Sequence, residues 1–307
     1  MILAVDVMTF TGLNFLMTTS RNIRFLTATL LLDRRKKTLI QALKQVVNVY
    51  KGKGHDVQEI NFTEQNNPVH TLLGDNEFEA VREDLEAIGV TVNISAKEEH
   101  VPEIERQHRV VKERARSIVQ TLPYQVMPRK MRIALIHNVV FWLNNIPKSG
   151  QDYSPRDLVF GKKILNYKTV CRIPFGAYAQ VHNDQSITNT MVSRTTGAIS
   201  LGATGNIQGM YRFLSLRTGE IIVRRTWTEL PVPMDVIDRL QEITENEPEY
   251  DDDMQDNKIE VAGEEGQIQL LDNGIEEDNQ NQNEKNRDYR FAFLSVREGL
   301  KRFGQKG

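Results

Sequence analysis

The period of the hydrophobic pattern changes along the chain, and the order of those changes restricts the fold more than any other feature. Residues 2–32 hold three β-prone runs, ILAVDVM, NFLMTTS and FLTATLLL, with a TGLN turn after the first. They read as a three-strand meander. Over residues 33–51 the period becomes 3.6, with Leu39, Ala42, Leu43, Val46, Val47 and Tyr50 on one helical face and Gly52 and Gly54 closing it. A fourth strand follows, either VQEINF or VHTLLG. Then come the amphipathic stretch EFEAVREDLEAIG ended by Gly89, the strand VTVNIS, a helix from Pro102 to about Leu122, and a second helix over roughly 128–145. Three antiparallel strands followed by alternation give β-β-β-α-β-α-β-α. That order predicts an α/β fold, a mixed sheet with helices on its faces.

The chain then changes character. Residues 170–230 hold short strands punctuated by glycine, in CRIPFGAYAQVH, TTGAISLGA and GMYRFLSLRTGEIIVRRTWTEL, with a hairpin at RTGE. They read as a small all-β module in which Trp227 packs, and in which the adjacent Arg224 and Arg225 face opposite sides. Beyond it the apolar content falls. Residues 242–284 carry sixteen Asp or Glu against one basic residue, Lys258. A segment of that composition stays disordered.

The formal net charge of −2 hides this division: outside 242–284 the chain holds 38 basic and 25 acidic residues, a net of +13. A basic body with an acidic tail points to a polyanion as partner. One cysteine, Cys171, excludes a disulfide framework and a Cys-rich zinc module, and fits a reducing compartment. The opening MILAVDVMTF lacks a basic region ahead of its apolar run, and no apolar run reaches the ~20 residues of a membrane span. An intracellular protein without a membrane partner is expected.

Two acids stand in unusual places. Asp6 interrupts an apolar strand, and a carboxylate there needs a proton, a partner or a metal. Glu105 heads a row of cations. At about 100° per residue, Glu105, Arg109, Lys112 and Arg116 form one stripe of the 102–122 helix, while Ile104, Val111, Ala115, Ile118 and Leu122 form the core-facing stripe. Intrahelical ion pairs would explain the row without any function. A third acid, Asp75 in LLGDNEF, falls where the fourth strand ends if VHTLLG is that strand, and strand ends are where ligands bind in open sheets. Converging acids repel one another unless divalent cations neutralise them, and hard oxygen ligands select Mg²⁺ or Mn²⁺. With a basic strip alongside, the implied substrate is a phosphodiester. The six histidines show no metal spacing and read as surface or core residues; His108 lies beside the basic row.

In this order the motifs resemble the integrase region of copia-type LTR retrotransposon polyproteins. The matching residues are Asp6 in AVDVM, Asp75 in LLGDNEFEAV, Glu105 in VPEIERQHR, SPRDLVFGKK at 154–163, and FGAYAQVH with GEIIVRRTWTEL across 175–230. The resemblance covers about residues 1–240 and implies an RNase H-like catalytic core over 1–125, a helical linker over 126–168 and an SH3-like β module over 169–233. An acidic disordered linker over 234–286 and the start of a following polyprotein segment at 287–307 complete the expected layout. It implies DNA 3′-end processing and strand transfer by Asp6, Asp75 and Glu105 with two Mg²⁺ or Mn²⁺ ions, and phosphate contacts from Arg109, Lys112 and Arg116. The implied partners are element DNA ends, target DNA and further copies of the chain, with action in the nucleus. The chain departs from the family pattern in its short Asp75–Glu105 interval and in lacking Gly-Gly after Asn76. An RNase H-fold nuclease and a catalytically inactive DNA-binding remnant are the alternatives.

Overall fold

The computed structural model of the chain describes residues 1–55, 57–62, 82–87, 89–94, 102–161, 165–183, 191, 193–206, 208–247 and 261–262. Two compact units divide the chain, Met1–Gln269 and Leu270–Gly307, and every described residue belongs to the first.

The meander forms as its period demands. β1 (Ile2–Phe10), β2 (Leu13–Ser20) and β3 (Leu26–Leu31) pair antiparallel. The first turn is tight because Thr11 and Gly12 both take positive φ, 47° and 79°, the combination that matches the twist of a hairpin. α1 (Lys36–Lys51) then carries the chain back, so that β4 (Glu59–Phe62) runs parallel to β1 and β5 (Thr91–Ile94) parallel to β4. The fourth strand is therefore the EINF of VQEINF; VHTLLG lies outside the described residues. Residues 82–86 are helical, as the pattern ending at Gly89 predicts. A two-residue strand, β11 (Val261–Ala262), pairs with the outer side of β3, giving the order β11-β3-β2-β1-β4-β5.

The pleat of β1 sorts its side chains between two layers. Leu3, Val5 and Val7 pack with the α1 side chains Leu39, Leu43 and Val46. Ala4, Met8 and Phe10 point the other way, into a core shared with α2 (Pro102–Thr121) and α3 (Arg129–Asn145). The sheet thus has helices on both faces, the mixed α/β arrangement expected.

The segment read as a helical linker contributes more than a connection. α3 buries residues all round its circumference, among them Met131, Leu135, Ile136, Val140, His137 and Asn144, which marks an interior helix. Asn144 joins it to the sheet by accepting from Leu26 N–H at 2.8 Å and donating to Leu26 C=O at 2.7 Å. After α3, Ser154 and Asp157 cap α4 (Pro155–Phe160) reciprocally, with Pro155 in the first turn and Gly161 ending it in the left-handed region. A one-turn α5 (Tyr167–Val170) leads into an antiparallel sheet of β6 (Tyr178–His182), β7 (Thr195–Ala203), β8 (Tyr211–Ser215), β9 (Ile221–Arg224) and β10 (Trp227–Glu229), ordered β10-β6-β7-β8-β9. The RTGE hairpin joins β8 to β9. Phe175, Ile199, Leu201 and Leu214 from this region share one apolar cluster with α2, α3 and the first sheet.

One expectation is overturned. Residues 234–286 do not begin as a disordered acidic linker: α6 (Met234–Glu245) packs Val236 and Leu240 into that same cluster. Just beyond it, Glu247 Oε1 accepts from Arg129 N–H at 2.6 Å and so caps the start of α3. The i,i+4 pair of apolar residues outweighs the charges around it. Within the same stretch Val261–Ala262 forms β11. Residues 248–260 and 263–307, including the expected following segment, lie outside the described residues. Among the described residues no helix is long and apolar enough to cross a membrane.

Candidate active site

Asp6 lies on the α2-covered face of β1, in register between Ala4 and Met8, and its side chain is 13% exposed. Among the described residues the parallel ladder from β1 to β4 runs to Val5↔Phe62, and Asp6 is the next residue of β1. The chain leaves β4 and β5 at this same end, the carboxyl end of the parallel strands, where open sheets bind their ligands.

The Asp6 carboxylate is held on both sides. Oδ1 accepts from the Val7 N–H at 2.7 Å, and Oδ2 faces Nδ1 of His108 at 3.5 Å. A charged imidazole at that distance would make an ion pair. Burial, and after it the charge of Lys112, instead pushes the His108 pKa down to about 4, so the ring is neutral at pH 7 and the contact is polar. A carboxylate can only accept, which favours the tautomer with its proton on Nδ1. Nε2 is buried with no hydrogen-bond partner among the described residues.

α2 brings the remaining candidates. Its fully buried residues Ile104, Val111 and Ala115 set the helix on the sheet, and His108 falls on that same face between Ile104 and Val111. Glu105 precedes His108 by one turn on the flank of the face; it is half-buried and has polar or electrostatic partners of its own. Arg109 and Arg116 are exposed and Lys112 half-buried, so the expected row of cations exists along that flank. Glu103 points away and pairs with Arg21 at 3.0 Å on the surface. Asp75 lies outside the described residues. Among those described, no three His, Cys, Asp or Glu side chains gather into a group placed to hold a metal ion.

His108 is the residue that sequence reasoning passed over. Its signal is the i+4 spacing from Ile104, which puts an imidazole on the buried face directly against the strand carrying Asp6. Trp227, by contrast, behaves as expected. It packs on Tyr211 and Phe213 at centroid distances of 4.7 and 5.3 Å, and the Arg172 guanidinium lies 4.0 Å over its ring.

The sequence matches no protein-family model and no curated protein. Among solved structures the chain is similar to the catalytic core domain of BIV integrase, at 13% identity and a TM-score of 0.39, over 52% of this chain and 93% of that one. At those values the likeness is loose, and the chemistry rests on the residues of the site themselves.

Proposed function

We propose that this chain is a metal-dependent polynucleotidyl transferase of the integrase kind, with an RNase H-like core that cleaves and joins DNA phosphodiesters. Asp6 carries the reading. It is a largely buried carboxylate on the apolar face of the central strand, at the carboxyl end of the parallel ladder. Burying such a charge is costly, and a bound divalent cation would offset that cost.

The residues on this edge suit a hard divalent cation. Asp6 and Glu105 offer carboxylate oxygens, which favour Mg²⁺ or Mn²⁺, and Asp75 is the expected third ligand. Such ions, when bound, supply charge neutralisation at the reacting phosphate. The protein's own groups would do the rest. Arg109, Lys112 and Arg116 would take successive phosphates, fixing the position of the duplex without reading its sequence. Ala4, Met8 and Ile104 would keep water from the inner side of the carboxylate. Element DNA ends and target DNA are the substrates of this reading, with the second sheet as the SH3-like module, joining carried out by an assembly of copies, and the nucleus as the place of action.

The test is Mn²⁺-dependent joining of a labelled DNA end. Wild type should join ends, and Asp6→Asn and Glu105→Gln should each lose a hundredfold or more, since a metal's charge stabilisation amounts to several kcal/mol at ~1.4 kcal/mol per decade. Wild-type rates in Asp6→Asn would refute the reading. A DNA-binding protein without chemistry is the second reading, supported by the +13 body and the exposed Arg109 and Arg116; it gives DNA binding but no joining in wild type.

A further inference from the structure

We infer that His108 is the positioning residue of Asp6, holding the carboxylate in one plane for the cation it receives; the inference rests on the reading of Asp6 as a metal ligand. Oδ1 is fixed by the Val7 N–H, a donor that cannot move without disturbing β1. Oδ2 faces Nδ1 of an imidazole from α2, a separate element. A donor on Oδ1 and an imidazole against Oδ2 limit how far the carboxylate can turn about its terminal bond. Ligating carboxylates are in turn hydrogen-bonded, and those outer partners tune metal affinity.

The histidine is equipped for this. Ile104 and Val111, on either side of it along α2, are 0% exposed, so the ring sits in a packed face and its orientation is largely set before any cation arrives. Packing alone would select a leucine here. The imidazole leaves Nε2 buried without a partner among the described residues, and burying an unpaired polar atom is unfavourable. The polar contact the structure gives this ring is on the Nδ1 side. At 3.5 Å the Nδ1···Oδ2 contact is longer than a formed N–H···O bond of about 2.7–3.2 Å.

The test measures Mn²⁺ binding to the full chain by the electron paramagnetic resonance of free Mn²⁺, together with the metal-induced rise in melting temperature. Three substitutions separate the two ring nitrogens. His108→Asn places an amide nitrogen near the position of Nδ1; His108→Gln reaches the position of Nε2; His108→Leu removes both and keeps the packing. We expect Leu and Gln to weaken Mn²⁺ binding roughly tenfold or more and Asn to retain most of the affinity, with all three proteins folded by circular dichroism. Full affinity in His108→Leu, alongside loss in Asp6→Asn, overturns the inference and leaves the metal site standing. Equal behaviour of Asn and Gln overturns it too, because the effect is then not that of Nδ1. A wild type that binds no Mn²⁺, or an Asp6→Asn that binds it normally, overturns both.

Discussion

Replacing Asn144 with leucine should destabilise the whole unit rather than loosen one helix. Asn144 is 2% exposed, and its amide completes both backbone groups of Leu26, accepting at 2.8 Å and donating at 2.7 Å. Leu26 is the first residue of β3 and pairs with Thr19 of β2 on its other side. The side chain of a helix thus takes the place of a neighbouring strand at the sheet's edge. Leucine keeps the volume but leaves a buried N–H and a buried C=O unpaired, at about 1–3 kcal/mol each; the added apolar surface returns roughly 1 kcal/mol. The net is about 1–5 kcal/mol, against the ~5–15 kcal/mol that holds a domain together. For a unit of this size that lowers the melting temperature by roughly 2–20 °C. Urea unfolding followed by tryptophan fluorescence and by far-UV circular dichroism provides the assay. Both probes should shift together, because α3 belongs to the core of the first sheet and of the second. Asn145→Ala is the control: its amide donates to Phe141 C=O within the same helix and accepts from Arg156 Nη1 only at 3.5 Å, so it should cost less, about 0.5–1.5 kcal/mol. A stability of Asn144→Leu within 0.5 kcal/mol of wild type would show that the Leu26 groups find other partners, and the account of α3 as the joint of the fold would fall.

Glu103→Gln should leave both end joining and DNA affinity unchanged and cost under ~1 kcal/mol, because its pair with Arg21 is exposed; an activity loss like that expected of Glu105→Gln would remove the distinction between the two acids. Acid should destabilise the protein before its carboxylates titrate. Burial, and then Arg212, holds His137 at about 3, below the ~6.5 of an unfolded histidine, so its contribution is complete above ~6.5 and is lost as pH falls from there toward 3. His137→Gln should flatten the melting-temperature profile between pH 7 and 4, and an unchanged profile would contradict this. Removing the acidic stretch and all that follows it should raise non-specific DNA affinity and steepen its salt dependence, since the net charge of −2 becomes +5, with 31 basic and 26 acidic residues left in 1–247. The cut belongs after Glu247, which caps α3; equal affinity and salt slope in the two proteins would refute the competition.

The first sheet is legible in the sequence because each of its elements carries its own period: alternating runs for β1 to β3, then Leu39 to Tyr50 on one helical face. Ser154, Pro155, Asp157 and Gly161 likewise announce α4 at both ends. What escapes is set by contacts far apart in the chain. α3 is read as a helix at 128–145, but not its place at the centre, where nearly all its sides are covered, and the asparagines that tie it down look like surface residues until Leu26 is seen opposite Asn144. α6 hides among acids because only Val236 and Leu240 report it. His108 reads as an ordinary core histidine until it meets a strand a hundred residues earlier, and no local pattern can encode that meeting.

The glycines of the second sheet tell the same story. In sequence they read as turn punctuation. In the fold several mark places where the β region meets the helices. A Cβ on Gly202, at φ +104°, would come 2.4 Å from Asn138 Oδ1, and one on Gly176 would come 2.3 Å from Leu122 Cδ2. Tyr124, just past α2, donates to Gly176 C=O at 2.8 Å. Arg156, 7% exposed, lies over the rings of Phe141 and Phe160 and donates to Gly205 C=O at 3.3 Å. Backbone this close to helical side chains cannot swing as a tethered module would. α2 therefore works at both ends: its first turns bring His108 to the strand of Asp6, and the chain leaving its last turn fixes the second sheet. A duplex lying on the row from Arg109 to Arg116 would run along the same helix from the acids toward that sheet. On the proposed function, the distance between a phosphate at Asp6 and any contact the sheet made with DNA would be set by the length of α2, about 1.5 Å per residue, and not by a flexible linker.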